Sequence, residues 1–206
     1  MDVMMTLMSL EIERRKLTTV AALGLQFWRE LEHLQSTESR FNELHYPALA
    51  EARALVLQGK ELAFILSDHN EKNPMGSHWT ACVLDVGKGE YHFGDSFNHD
   101  PPPSLQPRLE IWLHWCGAML PNQLLYRGPD LAHNSQMDGN SCGFIAVNML
   151  EHYIFPRSTK LWTAGSNASL RVVKYVNLME YNGADRGSPV SSYNNVQARV
   201  ELILSL

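Results

Sequence analysis

Gln136–Phe155 read QMDGNSCGFIAVNMLEHYIF. A polar, glycine-punctuated loop delivers a cysteine directly to the mouth of an apolar segment that Pro156 then stops. A loop-to-helix junction needs a capping residue, which Ser141 or Asn140 supplies, but it has no structural use for a thiol. The position does suit a nucleophile, because the exposed N–H groups and the positive end of the helix dipole favour the thiolate. The pattern predicts a helix over Cys142–Phe155. Cys142, Ile145, Ala146, Met149 and Tyr153 share one core-facing stripe, and Asn148, Glu151 and His152 lie elsewhere.

A nucleophilic thiol needs a base. The segment HWTACVLDV from His78, the turn GKG and EYHFGDS to Ser96 read as a β-hairpin, with His78 opening one strand and Asp95 closing the next. Side chains alternate faces with period two, so the turn decides whether these two meet. A two-residue loop at Gly87 and Lys88, of type II′, pairs Val86 with Gly89 and Thr80 with Asp95. His78 then lies diagonal to Asp95 on one face, with backbones roughly 7–8 Å apart, a gap that an imidazole and a carboxylate can close. A three-residue loop without a bulge would separate them. A carboxylate bonded to a histidine sets its tautomer and stabilises the imidazolium, the supporting half of a nucleophilic site.

Acyl transfer also requires donors for the oxyanion. The Cys142 backbone N–H is one candidate and the side-chain amide of Gln136, across the loop, is another; Gly139 and Gly143 leave room for a substrate backbone to approach. His78-Trp79, Asp95-Ser96 and the QMDGNSCG run together resemble, in order and spacing, the SUMO- or sentrin-specific cysteine proteases that act on ubiquitin-like modifiers. The resemblance is good over Glu61–Pro156 and loose in the last third. It implies His78 as general base, Asp95 as its orienter, Cys142 as nucleophile and Gln136 as oxyanion donor. It also implies Trp79 beside a narrow channel for a diglycine tail, and a papain-like α+β fold whose central antiparallel sheet packs against the nucleophile's helix.

The remaining chain is consistent with this reading. With 206 residues and no Gly/Ser-rich linker, it is expected to form one catalytic domain over 41–206, preceded by a helical extension of uncertain role over 1–40. Pro47 and Gly59 bracket a capped helix, Glu61–Leu66 reads as a buried strand, Arg108–Met119 as an amphipathic helix and Gln123–Arg127 as a short strand. A helix around Leu170–Met179 and a final one ending at Leu206 are expected, and Asn167 of NAS reads as a helix cap rather than a glycan acceptor.

Composition excludes other classes. A net charge of −5 without clustered Lys and Arg argues against nucleic acid, and no apolar run approaches the roughly 20 residues of a membrane span. Three scattered cysteines and no evident signal peptide suggest a monomeric intracellular protein of the nucleus or cytoplasm. Cys82 and Cys116 read as small buried hydrophobes, and His92, His114 and His152 as structural. No C-x-x-C or paired histidine spacing calls for a metal, and the chemistry needs no cofactor. The expected partner is a ubiquitin-like protein or its conjugates, cleaved after a glycine-rich tail through a thioester. Two other readings stand beside it: an adenain-like or mobile-element processing protease, and a modifier-binding module without activity.

Overall fold

Glu61–Ser67 and Trp79–Asp85 are apolar on alternate and intervening positions alike, which suits strands covered on both faces. In the computed structural model, which describes residues 1–34, 43–68, 78–120, 123–136, 141–163 and 176, these two strands form the middle of a five-stranded sheet. The chain divides into two compact units, Met1–Leu161 and Trp162–Leu206, and all the elements below belong to the first. They run α1 (Asp2–Arg14), β1 (Val20–Ala22), α2 (Leu25–His33), α3 (Pro47–Leu57), β2 (Glu61–Ser67), β3 (Trp79–Asp85), β4 (Glu90–Gly94), α4 (Leu105–Trp115), β5 (Tyr126–Arg127) and α5 (Cys142–Ile154).

The sheet order is β1-β2-β3-β4-β5. Its centre, β2-β3-β4, is antiparallel, whereas β1 and β5 join in parallel at the two edges, so the sheet is mixed rather than purely antiparallel. One face carries Leu62, Phe64, Leu66, Cys82, Leu84 and Phe93 into a core shared with α2, α3 and α4. There Phe27 packs edge-on against Phe64 and Trp112, with ring centroids 4.9 and 5.2 Å apart. The opposite face, with Ala63, Ile65, Ala81 and Val83, is covered by α5.

α3 follows its sequence signals closely. Pro47 occupies the first turn, Gly59 takes a left-handed φ of 77°, and the N–H groups of Gly59 and Lys60 return to the carbonyls of Val56 and Leu55. The β3–β4 register is the expected one, with Asp85 opposite Glu90 and Ala81 opposite Gly94. The turn type is not. The left-handed residue is Gly89, φ 71°, and not Gly87, so the loop is no type II′ turn; Asp85 Oδ1 accepts the Lys88 N–H and holds it closed instead.

Two further expectations change. The boundary at residue 40 marks no structural division: β1 supplies a sheet edge, Phe27, Trp28, Leu31 and Leu34 belong to the core, and the Trp28 indole donates to the Ser67 carbonyl at 3.1 Å. α5 is also buried on more than one stripe. Asn148 is only 1% exposed, and its amide donates to the Lys160 carbonyl at 3.0 Å, which is how a polar residue is accommodated there. The expected helices at Leu170–Met179 and at the C-terminus, and Asn167, fall outside the described residues, Val176 excepted.

Gly94 sets the distance between α5 and the sheet. A Cβ there would stand 2.5 Å from Met149 Sδ on α5 and 2.9 Å from Leu131 Cβ. The thioether can swing away, but a Cβ cannot move without its backbone. Gly94→Ala is therefore expected to cost about 1–3 kcal/mol through overpacking. It should lower the midpoint of urea unfolding; a midpoint equal to that of the unsubstituted protein would contradict this packing.

Candidate active site

The end of the sheet where β3 begins and β4 finishes gathers the polar residues singled out in the sequence. His78 directly precedes β3, and its backbone is clamped to the end of β2: Asp68 Oδ1 accepts the His78 N–H at 2.8 Å, and the Asp68 N–H donates to the His78 carbonyl at 3.2 Å. Asp95 directly follows β4. The register places the two side chains diagonally on one face, and His78 Nε2 meets Asp95 Oδ1 at 2.8 Å. The same oxygen accepts the Phe97 N–H at 2.7 Å, while Oδ2 lies 3.3 Å from His99 Nδ1. The Phe97 ring lies against the imidazole, centroids 5.0 Å apart.

Trp79 and Gly94 face the other way, onto α5. Gly143 in the first turn of α5 is wedged: a Cβ there would stand 3.2 Å from Met1 Sδ and 3.5 Å from Trp79 Cδ1. Its face is thus covered by two side chains and is not the open space for substrate that its residue type suggests. Gly139 lies outside the described residues. This packing brings the start of α5, and Cys142 with it, to the same end of the sheet as His78.

Electrostatics join the thiol to the pair. The hydrogen bond to Asp95 and, next, the Cys142 thiol push the His78 ring up to about 9 against the opposing effect of burial. Nε2 is committed to Asp95, and the buried Nδ1 has no hydrogen-bond partner among the described residues, so Nδ1 is the nitrogen left for the sulfur. Burial pushes the Asp95 carboxyl up, but the hydrogen bonds from His78 and the Phe97 N–H outweigh it and hold the group below its usual value. Gln136 is 7% exposed; its N–H donates to the Ser96 carbonyl at 2.9 Å, and its Oε1 accepts the Ser96 hydroxyl at 2.7 Å.

Cys82, Cys116, His92, His114 and His152 stand apart from this cluster. Burial pushes Cys116 up to about 12 and Cys82 higher still. His92, His114 and His152 each bond a backbone carbonyl, those of Pro129, Gln123 and Thr159. Asp85 is tied to Lys88 at the turn, far from His78 along β3. Among the described residues, His78, Asp95 and His99 form the one grouping whose donor atoms, within 4.8 Å of one another, could converge on a metal ion, but the His78–Asp95 hydrogen bond already occupies two of them. A cleft of about 510 Å³ opens on the Asp95 side, bordered by Asp68, His78, Phe97 and His99; Cys142 and Trp79 do not line it.

Asp68, Ser96, Phe97 and His99 were not foreseen. The Asp-Ser pair was visible as a motif, but only the fold puts Ser96 on Gln136. The other three act through contacts that no spacing rule encodes.

A solved structure shares this architecture. The C-terminal protease domain of Ulp1, determined in complex with Smt3, the yeast ortholog of SUMO, superposes with a TM-score of 0.53 at 15% identity, over 81% of this chain and 70% of that one. The catalytic domain of the Ulp1-like SUMO protease of Chaetomium thermophilum gives 0.49 at 15% identity, over 71% and 55%. Protein R355 of Acanthamoeba polyphaga mimivirus, which carries a provisional thiol protease name, is 23% identical over 96 residues, 47% of this chain and 31% of its own length. This match thus spans about a third of the mimivirus protein. No protein-family model matches the chain. The fold is that of the Ulp1 protease domain.

Because His78 is held above the ordinary 6.5, its protonated ring contributes stability that is fully present below pH 6.5 and lost as the pH rises through about 9. An NMR titration of the His78 ring should show its midpoint near 9. Asp95→Asn, which removes the largest cause and leaves burial and the Cys142 thiol in place, should bring the midpoint clearly below 9. A midpoint indifferent to that substitution would disprove the pairing.

Proposed function

We propose that this chain is a cysteine protease that cleaves after the glycine-rich C-terminal tail of a ubiquitin-like protein, from a lysine isopeptide or a precursor. The observation that carries the reading is the state of His78: one ring nitrogen held by a buried carboxylate at 2.8 Å, the other without a geometric hydrogen bond among the described residues, and the thiol of Cys142 acting on the ring. The likeness in fold to the Ulp1 domain that was solved with Smt3 supports the class of substrate.

In this mechanism Cys142 is the nucleophile. His78 takes the thiol proton as Sγ attacks the scissile carbonyl carbon, and the carbonyl oxygen becomes an oxyanion held by the Cys142 N–H and the Gln136 amide. As that intermediate collapses, the carbon–nitrogen bond breaks and His78 passes its proton to the departing amine, leaving a thioester. Water, deprotonated by His78, then attacks the thioester and releases the free C-terminal carboxylate and the thiol. Asp95 holds the ring's orientation throughout and offsets its positive charge. The raised value of His78 favours transfer of the thiol proton to the ring, which then holds that proton until the amine receives it. In this reading Trp79, whose Cδ1 would stand 3.5 Å from a Cβ on Gly143, borders a channel for two glycines, whose lack of side chains fits a narrow passage. No step requires a metal or cofactor.

A ubiquitin-like protein ending in a vinyl sulfone tests this directly, using SUMO and ubiquitin versions in parallel. One of them is expected to form a covalent adduct at Cys142, mapped by mass spectrometry, and Cys142→Ala should abolish it. Gln136→Ala should lower kcat on the matching substrate about 10²–10³-fold, as for loss of an oxyanion donor elsewhere. Labelling by short glycine peptides alone would favour a processing protease with other substrates, and tight binding without an adduct would favour a non-catalytic binding module.

A further inference from the structure

We infer that Ser96 is a positioning residue that sets the sense of the Gln136 amide, and so decides whether the oxyanion meets a donor or an acceptor. The inference rests on the reading of the site as a thiol protease and assigns a role to a residue which that mechanism does not use.

A primary amide is nearly symmetric in shape, but its two ends are opposite in function: the NH2 donates and the carbonyl oxygen accepts. Packing alone hardly distinguishes the two orientations. Gln136 turned the wrong way would present an oxygen to a developing negative charge, which destabilises the intermediate where the other orientation stabilises it.

Ser96 distinguishes them. It is completely buried, and its hydroxyl donates to Gln136 Oε1 at 2.7 Å. That oxygen is the hydroxyl's one acceptor among the described residues. If the amide turned over, the hydroxyl oxygen could accept from the NH2 group, but its own buried hydrogen would lose its acceptor. A buried O–H without an acceptor disfavours the turned state by roughly tenfold or more.

The backbone makes the arrangement rigid. From β5 onward the chain is zipped along β4 and its continuation: Gly128 N–H donates to Tyr91, Leu131 to Phe93 and Gln136 to Ser96, at 2.9, 2.8 and 2.9 Å. Ser96 thus grips Gln136 twice, through its carbonyl and its hydroxyl. Because Ser96 directly follows Asp95, the donor for the oxyanion and the orienter of the base are referred to the same two residues of backbone.

A double-mutant cycle in kcat tests the inference, with a ubiquitin-like protein bearing a C-terminal fluorogenic aminocoumarin amide as substrate, the modifier being the one labelled above. Ser96→Ala should lower kcat about 5–20-fold and leave KM within about twofold, since the hydroxyl acts only through the oxyanion donor. Gln136→Ala should cost about 10²–10³-fold, and the double variant should be no slower than Gln136→Ala alone. Affinity for the same protein ending in an aldehyde, whose hemithioacetal places an oxygen in the hole, should fall in parallel with kcat. Ser96→Cys, with a weaker donor in similar volume, should fall between serine and alanine, and it carries the test should the alanine variant not fold. Multiplicative losses in the double variant, or full activity in Ser96→Ala, would overturn the inference. A parent enzyme that neither labels nor turns over would instead overturn the protease reading itself.

Discussion

A carboxylate only 4% exposed must be given by the protein the hydrogen bonds that water would otherwise supply, and Asp95 receives them. The Phe97 N–H and His78 Nε2 converge on one oxygen, and His99 approaches the other. Removing the ring would leave a buried charge without its principal counterpart, which is far more costly than never having buried it. The same bond, made across a hairpin, holds the ring by Nε2 and is the largest cause of its raised proton affinity.

That bond in turn depends on register. With Ala81 opposite Gly94, residues on alternating positions are divided between two faces, so that His78 and Asp95 share one and Trp79 and Gly94 the other. A slip of one residue would send Asp95 toward α5 and bring Gly94 out, removing at once the orienter and the gap that admits Met149. Gly94, Asp95 and Ser96 are consecutive, and each meets a different part of the candidate site: α5, His78 and Gln136.

The likeness to the Ulp1 protease domain persists at 15% identity over 81% of the chain, while similarity to the mimivirus protein is confined to 96 residues. Cores accept many combinations of apolar side chains provided volume and pattern are kept, so a fold can persist at low identity.

Read alone, the sequence was sufficient for what depends on short range and on parity. It located the hairpin register, the capped helix from Pro47, the helix beginning at Cys142 and the pairing of His78 with Asp95, because period-two alternation and capping chemistry are local. It did not reveal that α2 and β1 complete the core, since a weakly patterned segment declares its buried face only against a partner. Nor did it reveal that Gly143 is covered by Met1 and Trp79, that Asn148 is buried, or that Gly89 rather than Gly87 takes the left-handed turn position. Asp68 on His78 and Ser96 on Gln136 are long-range contacts between polar residues common in any loop, and their partners are selected by where the folded backbone brings them. Residue types and spacing determined which chemistry was available; the closing of the sheet against its helices decided which atoms were near enough to carry it out.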